Sequence, residues 1–243
     1  MDFGLIILLF FLVAFVYSTV GHGGASGYLA LMVLLNFLPE VIKPTALFLN
    51  VLVSGIATIQ FYRGGYFKRE IFIPLIILSV PLAFLGALVT ISPQLFKIIL
   101  GVCLLVSVFR IIGFTNRPES AEIRKMPFVY ALCIGGAIGF LSGMIGIGGG
   151  ILLSPVLLLF RWADIKQTAA LSAPFILVNS ISGIFGLVSK GIVFPDHMVW
   201  WALASVSGGL LGSYWGSHKF NSVALKYLLA VVLIFAAGKL LMI

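Results

Sequence analysis

The chain has 243 residues, of which 61% are hydrophobic and only 9% charged, and its mean hydropathy is +1.21. A soluble domain of this size carries roughly 25% charged residues, so the composition excludes an ordinary soluble protein and leaves an all-α polytopic membrane protein in one transmembrane domain. The net charge of +8 reads as basic loops facing the cytoplasm, not as a nucleic-acid surface.

Ten apolar segments follow one another: 3–20, 27–38, 44–62, 71–91, 94–114, 127–145, 151–162, 168–189, 198–217 and 221–243. The first has no basic residue before it, since Asp2 precedes it and Lys43 is the first Lys or Arg. It reads as a retained helix, not a secretory signal. Most segments suit a hydrocarbon core of about 30 Å. The second and seventh hold only about a dozen residues, roughly 18 Å of helix, and neither spans alone. Cys103 and Cys133 lie in apolar runs and are expected to be buried thiols, not a disulfide or a metal site. Trp200, Trp201 and Trp215 are expected at the membrane interface.

Each short segment follows a glycine cluster. The first is Gly21-His22-Gly23-Gly24-Ala25-Ser26, and the second is Gly146-Ile147-Gly148-Gly149-Gly150. Glycine in a helix interior costs roughly 1 kcal/mol relative to alanine, so both clusters read as helix breaks. Other matches keep the same order: Ile42-Lys43-Pro44-Thr45-Ala46 with Ile165-Lys166-Gln167-Thr168-Ala169, Ser54-Gly55-Ile56 with Ser182-Gly183-Ile184, and Arg63-Gly64 with Lys190-Gly191. The chain divides into two five-segment repeats, residues 1–114 and 127–243, joined by a polar linker at 115–126.

Charge orients the repeats. With an odd number of crossings per repeat, eleven of the Lys and Arg residues fall on one side and Lys43, Lys97, Lys190 and Lys239 on the other. An even number gives nine against six. The positive-inside rule prefers the first, which makes the repeats inverted, the linker cytoplasmic and both termini external. The two segments around each break either cross fully or form a hairpin with its glycine tip in the membrane.

A helix that starts at a glycine break offers free N–H groups and the positive end of its dipole, which together favour an anion. The expected binding residues are His22, Gly23, Gly24 and Ser26 at the first break and Gly148, Gly149, Gly150 and Ser154 at the second. Asn50 and Asn179 join them because an amide at lipid depth needs partners. Ser18, Thr19, Ser54, Thr58, Gln60, Ser142, Ser172, Ser180 and Ser182 read as hydroxyls and amides that glue helices together. All seven acidic residues (Asp2, Glu40, Glu70, Glu119, Glu122, Asp164 and Asp196) fall at segment ends or in the linker. A cation or proton pathway would be expected to carry a carboxylate at depth.

The run from Gly146 through Ile151-Leu152-Leu153-Ser154-Pro155, together with the duplication, resembles the sulfite exporter TauE/SafE family of membrane transporters. The resemblance covers nearly the whole chain. In the first copy His22 replaces an apolar residue, Ala25 a glycine and Ala30 the proline. The resemblance implies secondary transport of small sulfur-containing anions, sulfite or organosulfonates, without ATP hydrolysis, across the inner membrane of a prokaryote. The implied partners are that anion and membrane lipid, with a homodimer allowed and no cofactor. An uptake carrier for another small anion is one alternative. An intramembrane serine protease is the other, because Gly24-Ala25-Ser26-Gly27 fits the Gly-x-Ser-Gly pattern of rhomboid enzymes.

Overall fold

The computed structural model describes residues 3–19, 22–113, 123–192, 194, 198–218, 234, 237, 238 and 241. Among these every regular element is a helix: α1 (Phe3–Ser18), α2 (Ala25–Leu34), α3 (Pro39–Arg63), α4 (Arg69–Leu88), α5 (Pro93–Gly113), α6 (Phe128–Ile145), α7 (Gly150–Leu159), α8 (Ile165–Val188) and α9 (Met198–His218). Most of the tenth expected segment and most of the linker lie outside the described residues.

The helices follow the apolar segments closely, and the differences have local causes. α3 begins at Pro39, not at 44, because a proline at the first helical position gives up no intrahelical bond; Pro44 then lies inside the helix. α8 begins at Ile165, before the expected 168, because Asp164 and Gln167 form a capping box. The Gln167 N–H donates to Asp164 Oδ1 at 2.7 Å, and the Asp164 N–H donates to Gln167 Oε1 at 3.3 Å.

Four helices among the described residues are long and apolar enough to cross a membrane: Glu40–Arg63, Arg69–Leu88, Phe128–Ile145 and Ile165–Val188. α2 and α7 have 10 residues each. At 1.5 Å per residue each reaches about 15 Å, half of a hydrocarbon core.

Contact register fixes the helix directions. Gly135, Gly139 and Gly143 of α6 face Leu75, Ser79 and Ala83 of α4, so these two helices run parallel. Asn179, Ser182 and Gly186 of α8 meet Ser79, Val80 and Phe84 of α4, so α8 is parallel to both. On α7 the order reverses, with Gly150 beside Ile176 and Ser154 beside Ser172. α7 therefore runs back along α6, and the chain makes a hairpin at the second glycine cluster. The first cluster does the same. Ser26 bonds Tyr17, and the Tyr28 ring stacks on Phe10 at 5.6 Å, so α2 runs back along α1. α3 and α8 lie antiparallel, with Leu47 against Gly183 and Gly55 against Leu177.

Two glycine stripes that the sequence reading passed over hold this arrangement. A Cβ on Gly135, Gly139 or Gly143 would collide with backbone of α4. Gly208, Gly212 and Gly216 of α9 meet the backbone of α1 at Phe11, Phe15 and Thr19 in the same way. Glycine at four-residue spacing lets two helix backbones touch, and dispersion plus weak C–H···O contacts bind them where lipid removes the usual hydrophobic drive.

Two sequence expectations are corrected. Cys133 faces outward on α6, and only Cys103 is buried; neither is in a disulfide. Trp201 is 4% exposed and stacks on Phe10 at 5.3 Å, inside the core instead of at an interface, whereas Trp200 and Trp215 are exposed.

Replacing Gly143 with Leu is expected to destabilise the protein by about 1–3 kcal/mol or more, since overpacking here pushes on backbone that cannot rotate away. Thermal unfolding of the detergent-solubilised variant measures it. A wild-type melting temperature would mean that α4 and α6 do not touch along this stripe.

Candidate functional site

Both hairpins turn at left-handed glycines. Gly24 (φ 91°) precedes α2 and Gly149 (φ 84°) precedes α7, and neither helix has a side-chain cap. This conformation is open to glycine at little cost and penalises any residue with a Cβ. The breaks do not stay apart. A Cβ on Gly23 would lie 2.8 Å from Asn50 Oδ1, and one on Gly148 would lie 2.7 Å from Asn50 Nδ2. The Asn50 amide of α3 therefore sits between the two hairpin tips, and its Nδ2 donates to the Ile147 carbonyl at 3.3 Å.

Around Gly23 stand Asn50, Ser54 and Ile176; around Gly148 stand Ile176, Ser180 and Asn50. The two sets exchange if Asn50 is paired with Ile176 and Ser54 with Ser180, both 126 residues apart and two residues off the Ser54–Ser182 match in the sequence. In that pairing an isoleucine stands opposite Asn50. Asn179 lies elsewhere. Its Nδ2 donates to the Phe175 carbonyl at 2.8 Å and its Oδ1 accepts from Ser79 at 2.9 Å, so it fastens α8 to α4 away from both tips.

His22 is 2% exposed, and its Nε2 lies 3.1 Å from Ser154 Oγ on α7. Ser154 also bonds the Gly150 carbonyl at 2.8 Å and Ser172 Oγ of α8 at 2.7 Å. A hydroxyl has one hydrogen and two acceptor sites. The Ser154 hydrogen goes to the Gly150 carbonyl, so Ser172 O–H and His22 Nε2–H donate to Ser154. That leaves Ser154 saturated. Ser26 spends its hydrogen on Tyr17 Oη at 2.7 Å. Neither expected serine offers a free donor here. Among the buried hydroxyls with no partner, Ser180 lies beside Gly148 and Ser142 beside Gly149, and Asn50 Oδ1 is also unsatisfied. A buried polar atom without a partner costs about 1–3 kcal/mol. Sequence reading treated Ser142 and Ser180 as helix glue. Only their neighbours distinguish them from the other serines.

The expected residues His22, Gly23, Gly24, Asn50, Gly148, Gly149, Gly150 and Ser154 converge, with Ser26 close by on α2 and Asn179 apart. Each is buried. Among the described residues no Asp or Glu is buried, and no group of three or more His, Cys, Asp or Glu stands together as a metal site. The arrangement presents two uncapped helix starts, an amide and two unpartnered hydroxyls to one sealed point between the tips.

Apolar helices of spanning length around two such hairpins define a multi-pass membrane transporter. The chain belongs to the sulfite exporter TauE/SafE family, whose model matches residues 6–240. It is 37% identical over 235 residues to the probable membrane transporter protein y4hK of Sinorhizobium fredii, covering 96% of this chain and 95% of that one. It is 25% identical over 232 residues to the probable membrane transporter protein YdhB of Bacillus subtilis, covering 93% of each. No solved structure matches the chain. A family of transporters leaves the serine-protease reading of Ser26 without support, and the Ser26 hydroxyl is bonded to Tyr17, not to His22.

Two substitutions separate binding from folding. Ser180→Ala is expected to raise thermal stability by about 1 kcal/mol, because it removes an unsatisfied hydroxyl, while raising the half-saturating anion concentration about five- to tenfold. A loss of stability would mean the hydroxyl already has a structural partner. Gly148 has φ +77° and no room for a Cβ, whereas Gly65 has φ +75° and nothing within 4 Å of one. Both alanine variants should lose about 1–2 kcal/mol to the left-handed backbone, but only Gly148→Ala should abolish flux.

Proposed function

We propose that this transporter carries small sulfur-containing anions, sulfite or organosulfonates, out across the cytoplasmic membrane by alternating access. The carrying observation is that two uncapped helix starts, opened by Gly24 and Gly149, meet at one buried cluster around Asn50. Each helix start has partial positive charge and unbonded N–H groups, and no buried carboxylate opposes an anion among the described residues. The ligand sites in the proposal are the backbone from Gly23 to Gly24 and from Gly148 to Gly150, with Asn50, Ser142 and Ser180. His22 and Ser154 stand behind them and become available only if their mutual bond opens.

Alternating access follows from the hairpins. In the proposal the halves 1–114 and 127–243 are inverted repeats about a cytoplasmic linker at 115–126, with both termini outside. The antiparallel course of α3 and α8, which occupy matching places in the two halves, supports that reading. Each hairpin then enters from its own face and ends beside the other, and rocking one half opens the cluster to one side at a time.

Energetics favour export. An inside-negative potential drives an anion outward by about 2.3 kcal/mol per charge per 100 mV, a gradient of about 50-fold at that potential. No second ion is needed. Uptake would require one, and the buried imidazole of His22 is the group that would carry a proton.

Flux in proteoliposomes tests this. Sulfite-loaded vesicles, with a potential imposed by potassium and valinomycin, should release sulfite faster as the interior becomes more negative, and an organosulfonate should compete. Release independent of potential and unaffected by any sulfur anion would overturn the reading. Release that required an opposing pH gradient would replace export with proton-coupled uptake.

A further inference from the structure

We propose that Lys43 selects for negative charge on one of the two routes to the hairpin tips, a role that rests on the anion-transport reading above. Lys43 and Asn50 lie seven residues apart on α3, two turns along one face. The second hairpin turns against this face. Gly146 backs onto Lys43, where a Cβ would lie 3.0 Å from its Cγ, and Gly148 backs onto Asn50. The tip therefore runs along α3 from Lys43 to Asn50, about 10 Å of helix.

Lys43 is half-buried, and its ammonium donates to the Ala87 carbonyl at 3.3 Å, in the last turn of α4. That turn is the negative end of the α4 dipole, which favours a cation there. No buried carboxylate among the described residues cancels its charge. Leu47, one turn further along α3, packs with Ala87 and Leu187 and closes the same end of the bundle. A second cation follows at the exit of α8, where Lys190 donates to Thr90 Oγ1 at 2.8 Å, just beyond α4. Two like charges thus gather around one helix end. Purely structural lysines would be expected to pair with carboxylates, or to stand apart.

In the proposal Lys43 has two states. In the closed arrangement its ammonium is tied to Ala87 above the apolar plug. When this end opens, Leu47 and Ala87 separate and the ammonium loses its carbonyl. An anion arriving between them replaces that carbonyl as the partner of the ammonium, and then passes two turns down α3 to Asn50. Unit charges about 10 Å apart at an effective dielectric near 20 attract enough to change occupancy on the order of tenfold.

The experiment compares sulfite flux in proteoliposomes of wild type, Lys43→Gln, Lys43→Arg and Lys97→Gln. The last removes a cation on α5, outside this cluster. Lys43→Gln should raise the half-saturating sulfite concentration about tenfold with the maximal rate within about twofold. It should also flatten the dependence of half-saturation on ionic strength. Lys43→Arg should restore both, and Lys97→Gln should match wild type. Unchanged half-saturation in Lys43→Gln beside an active wild type overturns the role of Lys43 alone. Equal loss of maximal rate in the Gln and Arg variants also overturns it, assigning Lys43 to packing on Gly146. A wild type that moves no sulfur anion fails the transport reading itself, and this inference with it.

Discussion

Backbone polar groups have no water to bond inside a bilayer, so a chain that turns there must bring its own partners. This protein turns twice within its apolar bundle, at Gly23–Gly24 and at Gly146–Gly149, and most of its construction answers that constraint. The turns are glycine because they need left-handed backbone and because other groups press on them from all sides. They are also wrapped by the long helices, so neither tip meets lipid. The second tip has Asn50 bonding the Ile147 carbonyl from α3, and Ile176 and Ser180 covering Gly148 from α8. Beside the tips Asn50 Oδ1 and the Ser142 and Ser180 hydroxyls stay unsatisfied, and in the proposal that unmet hydrogen bonding is what a ligand uses.

Under the proposed duplication the two halves follow a similar course but differ in chemistry. His22 matches Ile147, Asn50 matches Ile176, and Ser154 falls where the first half has Leu29. One half of each pair is polar and the other apolar, and the polar members form a connected set: His22 to Ser154 to Ser172, with Asn50 between the tips. A symmetric site would hold a ligand equally well in two orientations. An asymmetric one holds it in one.

The two glycine stripes carry two helix pairs into backbone contact from different partners. Where α6 packs on α4 the stripe of three glycines is on α6, the hairpin helix, with Gly86 of α4 meeting it at Phe140. Where α1 packs on α9 they are on α9, the outer helix. Close approach of two backbones needs glycine on one partner only, so either helix can supply it. Each hairpin is thereby fixed to one long helix along several turns, while its tip touches α3 and α8. The antiparallel pair α3 and α8, which carries Asn50, Ser54, Ser172 and Ser180, is the seam on which both tips rest.

The sequence by itself determined the membrane class, nearly every helix, the family and the glycine breaks, because apolar length and helix-breaking residues act locally and leave local marks. It also picked out most of the cluster, since polar residues at lipid depth are few. It could not say where along the long helices the broken segments turn, because hydropathy carries no register; the packing of α7 on α8 and of α2 on α1 showed that. Nor could it separate Asn50 from Asn179, two amides in similar helices, of which one faces the tips and the other is spent on Ser79 and Phe175. Ser142 and Ser180 looked like any helix serine until their hydroxyls proved to have no partner, while Ser26 and Ser154 looked available until theirs proved to be used. Whether a polar group is free depends on what other segments bring to it, and those distances exist only in the folded chain.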